Sequence, residues 1–150
     1  DDIVDHALLQ KELKTPICLD ESIISAADAR KAVEMESGRV INIKVSRLGG
    51  LLEAKKVHDY CLDRRIPVWC GGMHEYGIGR AANIAIASLP GFTMPGDISG
   101  SDKYYAQDLV DPTIVAVDGL IPVPDTPGLG FEPNESRIRE RAIRSLTLPA

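Results

Sequence analysis

A strand-sized apolar run followed by a helix-sized amphipathic one, repeated at a nearly constant step, limits what this chain can become. Asp20 to Lys44 spans 24 residues, Lys44 to Gly71 27, and Gly71 to Asp97 26, each position marking where an apolar run gives way to polar groups. Antiparallel strands can be joined by a two-residue turn. A step this long, carrying a helix, demands parallel strands with crossovers. Two architectures satisfy it: an open doubly wound sheet, or part of an eight-stranded (β/α) barrel. With 150 residues there is enough chain for one core and too little for two.

Residues 3–13 set Val4, Ala7 and Leu8, with Leu9 and Leu13, at helical spacing, and Lys14-Thr15-Pro16 ends that helix. Residues 16–21 read as a short strand closing on Asp20 and Glu21. Ser25, with Asp28 three residues on, is placed to cap a helix over 26–36, which Gly38 stops. The second strand covers 40–46, and a helix over 51–64 is expected to bury Leu51, Ala54, Val57, Cys61 and Leu62. Residues 66–72 give the third strand, 79–89 a helix, and 91–99 the fourth strand. Beyond Ser99 the period is lost. Two short apolar runs flank Asp118-Gly119, a hairpin-turn signal. Residues 122–134 are rich in Pro and Gly and read as irregular, and Asn134 caps a last helix over 135–146.

Within the second strand, Ile41, Ile43 and Val45 fall on one face and Asn42, Lys44 and Ser46 on the other, because strand side chains alternate. Polar groups collect at the carboxyl end of every strand: Asp20-Glu21, then Lys44, then Gly71-Gly72-Met73, then Asp97. In parallel α/β architectures that end binds ligands. A carboxylate such as Asp20 suits Mg²⁺, which takes one or two protein carboxylates plus substrate oxygens. A partly desolvated lysine near a metal becomes a workable proton carrier near neutrality. Against this stand plainer readings, a turn-forming Asp and a snorkelling edge Lys; a central strand position disfavours the second.

The net charge of −5, with both signs interspersed, excludes a basic nucleic-acid footprint. No apolar run approaches the ~20 residues of a membrane span. The acidic start, DDIVDHALLQ, lacks a signal peptide's basic and apolar regions. Without an initiating Met, it reads as beginning mid-protein. Cys18, Cys61 and Cys70 are expected to be reduced core thiols of a cytoplasmic protein. His6 and His58 are expected on helix surfaces, and His74 in the ligand-face loop as a weaker candidate for substrate contact. The GIGR of residues 77–80 is half a phosphate-binding glycine loop and weak evidence alone.

CLDES (18–22), NIKVSRLGG (42–50), WCGGMHEYGIGRAANIAIASLP (69–90) and TMPGDISGSDKYY (93–105) together resemble the enolase superfamily. The closer likeness is to its muconate-lactonising subgroup, in the branch of o-succinylbenzoate synthases and N-acylamino acid racemases. The resemblance implies α/β structure: the C-terminal half of an enolase-type (β/α) barrel over 1–110, with 111–150 returning to a capping domain. It implies Asp20 as a ligand of Mg²⁺ (or Mn²⁺), Lys44 as the acid/base lysine, and Asn42, Gly72, Met73 and Asp97 as substrate contacts. It further implies a missing N-terminal half holding a second lysine and two more metal carboxylates, so that this piece alone is inactive. Its partners would be a small carboxylate substrate and, at full length, a second copy of itself, with no nucleic acid and no membrane.

Dehydration to o-succinylbenzoate, in menaquinone synthesis, is the leading activity implied, and N-acylamino acid racemisation the alternative, since the same lysines serve both. Dipeptide epimerases rank lower, because Asp97-Ile98-Ser99 departs from their Asp-x-Asp, and muconate cycloisomerisation is also less favoured. Two other positions depart from the family's pattern: His74 where an apolar residue is expected, and Ala82 where histidine is. A non-catalytic doubly wound binding domain is the rival from another class. It needs a phosphate-binding glycine after the first strand, and LDESIIS supplies none.

Overall fold

The computed structural model describes residues 2–147. It opens with α1 (Ile3–Glu12), β1 (Cys18–Leu19), α2 (Ala26–Glu34), β2 (Val40–Ile43), α3 (Leu51–Asp63), β3 (Val68–Cys70) and α4 (Gly77–Ala87). After a single 3₁₀ turn at Ser101–Lys103 come β4 (Val110–Asp111), β5 (Glu132–Pro133) and α5 (Glu135–Arg141). The first three strands pair in parallel in the order β1-β2-β3. Leu19 aligns with Ile41, Ile41 with Val68, Asn42 with Trp69 and Ile43 with Cys70.

Local signals account for most of the helix limits. Ser25 Oγ accepts from the Asp28 amide at 3.1 Å, and Asn134 Oδ1 from the Arg137 amide at 3.1 Å, so both expected caps form. Leu19, Ile41, Ile43, Val68 and Cys70 on one face of the sheet pack with Ala29 and Ala32 of α2, Ala54, Val57 and Cys61 of α3, and Ile86 of α4. Small residues on the helices let them lie close to the β-branched strand surface. A second cluster, Ala81, Ile84, Val110 and Ile114, joins α4 to the C-terminal segment.

Several expectations are corrected. The fourth strand over 91–99 reduces to two parallel bridges, Val68 with Phe92 and Gly71 with Asp97. Its start curls, the Thr93 amide donating to Gly91 O at 3.0 Å, and Pro95 has no amide to give a ladder. The second strand ends at Ile43, so Lys44 lies just past it. Leu51 and Leu62 are exposed, whereas His58, expected on the surface, is buried. Its Nε2 accepts from the Gly91 amide at 3.0 Å, and its ring stacks on Phe92. Cys61 and Cys70 are core thiols, pushed by burial up to about 12, but Cys18 is exposed. The Asp118-Gly119 turn is present, bracketed by mutual hydrogen bonds of Val117 and Leu120 at 2.9 Å. The last helix stops at Arg141. Among the described residues, no helix is long and apolar enough to cross a membrane.

Candidate active site at the carboxyl ends of the strands

Asp20 follows β1 and Lys44 follows β2, and the parallel register brings them together: Lys44 Nζ donates to Asp20 Oδ2 at 2.9 Å. Beyond Lys44 the chain turns back on itself, the Leu48 amide bonding Lys44 O at 3.1 Å and the Gly50 amide Val45 O at 2.9 Å. Gly49 and Gly50 sit at φ +78° and +129°, conformations that side chains resist. That turn swings Arg47 over the strand end. Its Nη1 donates to the other oxygen of Asp20, its Nη2 to Asn42 O, and its Nε to Ile23 O at 2.9 Å.

The three charged side chains are mostly withdrawn from water, with 27% of Asp20, 17% of Lys44 and 13% of Arg47 exposed. Partial burial pushes the Asp20 carboxyl upward. The Lys44 hydrogen bond and the Arg47 and Lys44 charges outweigh it and hold the group below its ordinary range. Asn42 is buried beneath them, its Oδ1 without a hydrogen-bond partner. A Cβ at residue 71 would collide with the Asn42 amide, so glycine there leaves that buried side chain its place.

The Gly72 amide donates to Asp97 O at 2.8 Å, and the Asp97 amide to Cys70 O at 2.9 Å, so these substrate candidates share one rim. Asp97 and the Met73 side chain are exposed there. Two cavities meet at Met73. One, of about 340 Å³, is bounded by Glu21, Lys44, Ser46, Arg47 and Met73; the other, of about 350 Å³, by Gly72, Met73, His74, Asp97 and Tyr104. An apolar cavity of about 320 Å³, lined by Cys70, Ile84, Phe92 and Ile98 among others, touches none of the charged groups. All six candidates therefore gather at one end of the sheet, with Asn42 as floor. Sequence reasoning missed Arg47, whose signal was its place three residues after Lys44 in a turn ended by two glycines.

As a hard anionic donor in a half-buried position, Asp20 fits one place in a Mg²⁺ shell. Among the described residues, no three His, Cys, Asp or Glu gather as a metal site.

Parallel βα units with an acid and a lysine at adjacent strand ends form a ligand face of the kind that (β/α) barrels and doubly wound sheets share. The chain belongs to the Enolase C-terminal domain-like family, whose model matches residues 1–137. It is 58% identical over 140 residues to the o-succinylbenzoate synthase of Bacillus subtilis (strain 168), covering 93% of this chain and 38% of that protein. It is 53% identical over 133 residues to an N-succinylamino acid racemase of an Amycolatopsis species, covering 89% of this chain and 36% of that protein. A solved enolase-superfamily member from Listeria innocua superposes with a TM-score of 0.87 at 46% identity, over 93% of this chain and 38% of its own. The chain thus spans well under half the length of these relatives. The fold is the C-terminal part of an enolase-type barrel, and the doubly wound alternative is set aside.

Proposed function

We propose that this chain is part of a longer Mg²⁺-dependent o-succinylbenzoate synthase, which dehydrates a small carboxylate substrate after loss of its α-proton. The observation that carries the reading is the Lys44–Asp20 contact of 2.9 Å beside a cavity at the strand ends. Identity of 58% to a synthase supports it. Racemisation of N-succinylamino acids is the second reading, favoured by the 53% identity to a racemase.

Asp20 would hold the metal ion, Mg²⁺ or Mn²⁺. When bound, the ion supplies electrostatic stabilisation of the charge that develops on the substrate carboxylate. Lys44 Nζ, only 17% exposed and held by Asp20 at the edge of the cavity, would face the substrate. In the synthase it would stabilise the delocalised anion by charge and by cation–π contact. In the racemase it would take or return the α-proton on its own face. Arg47 would keep the Asp20 carboxyl ionised and oriented, while Gly72, Met73 and Asp97 line the substrate side and Asn42 supports them from below. In this reading residues 1–110 are barrel, 111–150 pack on a capping domain, and the protein acts in the cytoplasm, in menaquinone synthesis, as a homo-oligomer.

The full-length protein assayed with both substrate classes is the test. Metal-dependent dehydration supports the leading reading, and racemisation without dehydration selects the second. Activity on neither overturns both.

A further inference from the structure

Behind the rim lies a polar network that the proposed chemistry does not use. Glu75 Oε2 accepts from the Met73 amide at 2.7 Å, and its Oε1 from Asn83 Nδ2 at 3.0 Å. Its backbone oxygen accepts from Arg80 Nη2 at 2.8 Å. Arg80 Nε reaches Ser101 Oγ at 3.2 Å and Nη1 reaches Ser99 O. Arg80 is 0% exposed and Asn83 1%. One guanidinium therefore joins three segments: the loop after β3, α4 itself, and the 99–101 stretch that follows Asp97.

We propose that Glu75, anchored by Asn83 and Arg80, is a positioning residue that fixes the Gly72-Met73-His74 loop against the substrate. The inference rests on the reading of that loop as substrate-facing. A buried guanidinium is costly, and among the described residues Arg80 forms no ion pair. An apolar side chain of similar size would fill the space more cheaply. What it would not supply is a planar fork of donors aimed at acceptors on separate loops.

Glu75 does the complementary work with its carboxylate, which receives one donor on each oxygen as charge-assisted bonds. The Gly72 amide is already committed to Asp97 O and the Met73 amide to Glu75. Two of the loop's amides are therefore closed to a substrate, and the exposed Met73 side chain is left to meet it. A loop shaped this way selects by fit, so loosening it should weaken binding more than chemistry.

The experiment uses the full-length protein, wild type, Glu75→Gln, Glu75→Ala and Arg80→Lys. Gln keeps size and one acceptor but turns an NH₂ toward the other donor. Glu75→Ala removes both carboxylate bonds, and loss of the one to the Met73 amide should raise KM by about 10-fold, with kcat within about threefold. Glu75→Gln should show a smaller KM rise, and Mg²⁺ titration should not move. Independently of turnover, amide exchange in the 72–76 peptide should quicken by about 10-fold while β2 keeps its protection. Arg80→Lys, too short in donors to hold three acceptors, should quicken the same peptide. Should Glu75→Ala fail to fold, the Gln variant carries the same readouts. Unchanged exchange in the loop, or a lowered Tm with KM unmoved, overturns the proposal. A wild-type protein active on neither substrate class defeats the functional reading instead, and the exchange data still decide whether Glu75 clamps the loop.

Discussion

On the face of the sheet turned toward α2 and α3, Leu19, Ile41, Ile43, Val68 and Cys70 are all sealed from water. On the opposite face of the same strands, Cys18 is exposed, Trp69 is half-buried with its Nε1 donating to Cys18 Sγ at 3.2 Å, and Asn42 leads to Asp20 and Lys44. Alternation along each strand separates the two chemistries by one residue. In a barrel the outward residues of each strand pack under the helices, and the inward ones nearest the carboxyl ends can carry ligand-binding groups. Stability and chemistry are thus coded in interleaved positions, and single substitutions should tell them apart.

The widest separation is expected between two neighbours. Lys44→Ala in the full-length protein should lower kcat by about 10³-fold, the scale of a lost anion-stabilising or acid/base group, with Mg²⁺ titration near normal since the amine is no ligand. Ile43→Ala, one residue earlier and on the sealed face, should instead cost about 3 kcal/mol of stability in denaturant unfolding and leave kcat of the folded fraction close to wild type. A variant at Lys44 that kept near-wild-type turnover, or one at Ile43 that lost it without loss of stability, would break the division.

Asp20→Asn should weaken Mg²⁺ binding by at least about 10-fold, because a charged donor becomes neutral. The same variant sharpens the pH behaviour. Asp20 titrates below its ordinary 3.8 in the folded state, so its contribution is fully present above that value and is lost as pH falls through the folded pKa. Wild type and Asp20→Asn should therefore differ in stability above about pH 4 and converge in stronger acid; parallel acid-unfolding curves would contradict this. The smallest effect is in thiol labelling of the chain described here. Cys18 on the open face should react first, while Cys61 and Cys70, pushed up to about 12, should wait for unfolding. Equal rates at all three would erase the contrast between faces.

How far the sequence revealed this arrangement depended on how local each signal was. The caps at Ser25 and Asn134 and the Asp118-Gly119 turn act over three or four residues and could be read directly. The steps between strand ends carried the parallel topology, and with it the meeting of Asp20 and Lys44. The 91–99 stretch misled, because its composition suits a strand while Pro95 and the turn at Gly91 allow only two points of pairing. His58 looked like a surface group on a helix; its burial follows from the Gly91 amide 33 residues away, which no local pattern reports. Leu51 and Leu62 were expected in the core because they are apolar, yet the small residues Ala54, Val57 and Cys61 carry the contact. Arg47 was overlooked for a similar reason, since its role exists only once the glycine turn has folded it back.

The most direct test is a crystal structure of the full-length protein with Mg²⁺ and a bound carboxylate substrate. An Asp20 oxygen should lie about 2.1 Å from the ion, and Lys44 Nζ about 3–3.5 Å from the reacting carbon. An ion held without Asp20, or a Lys44 side chain turned among the helices, would contradict the account.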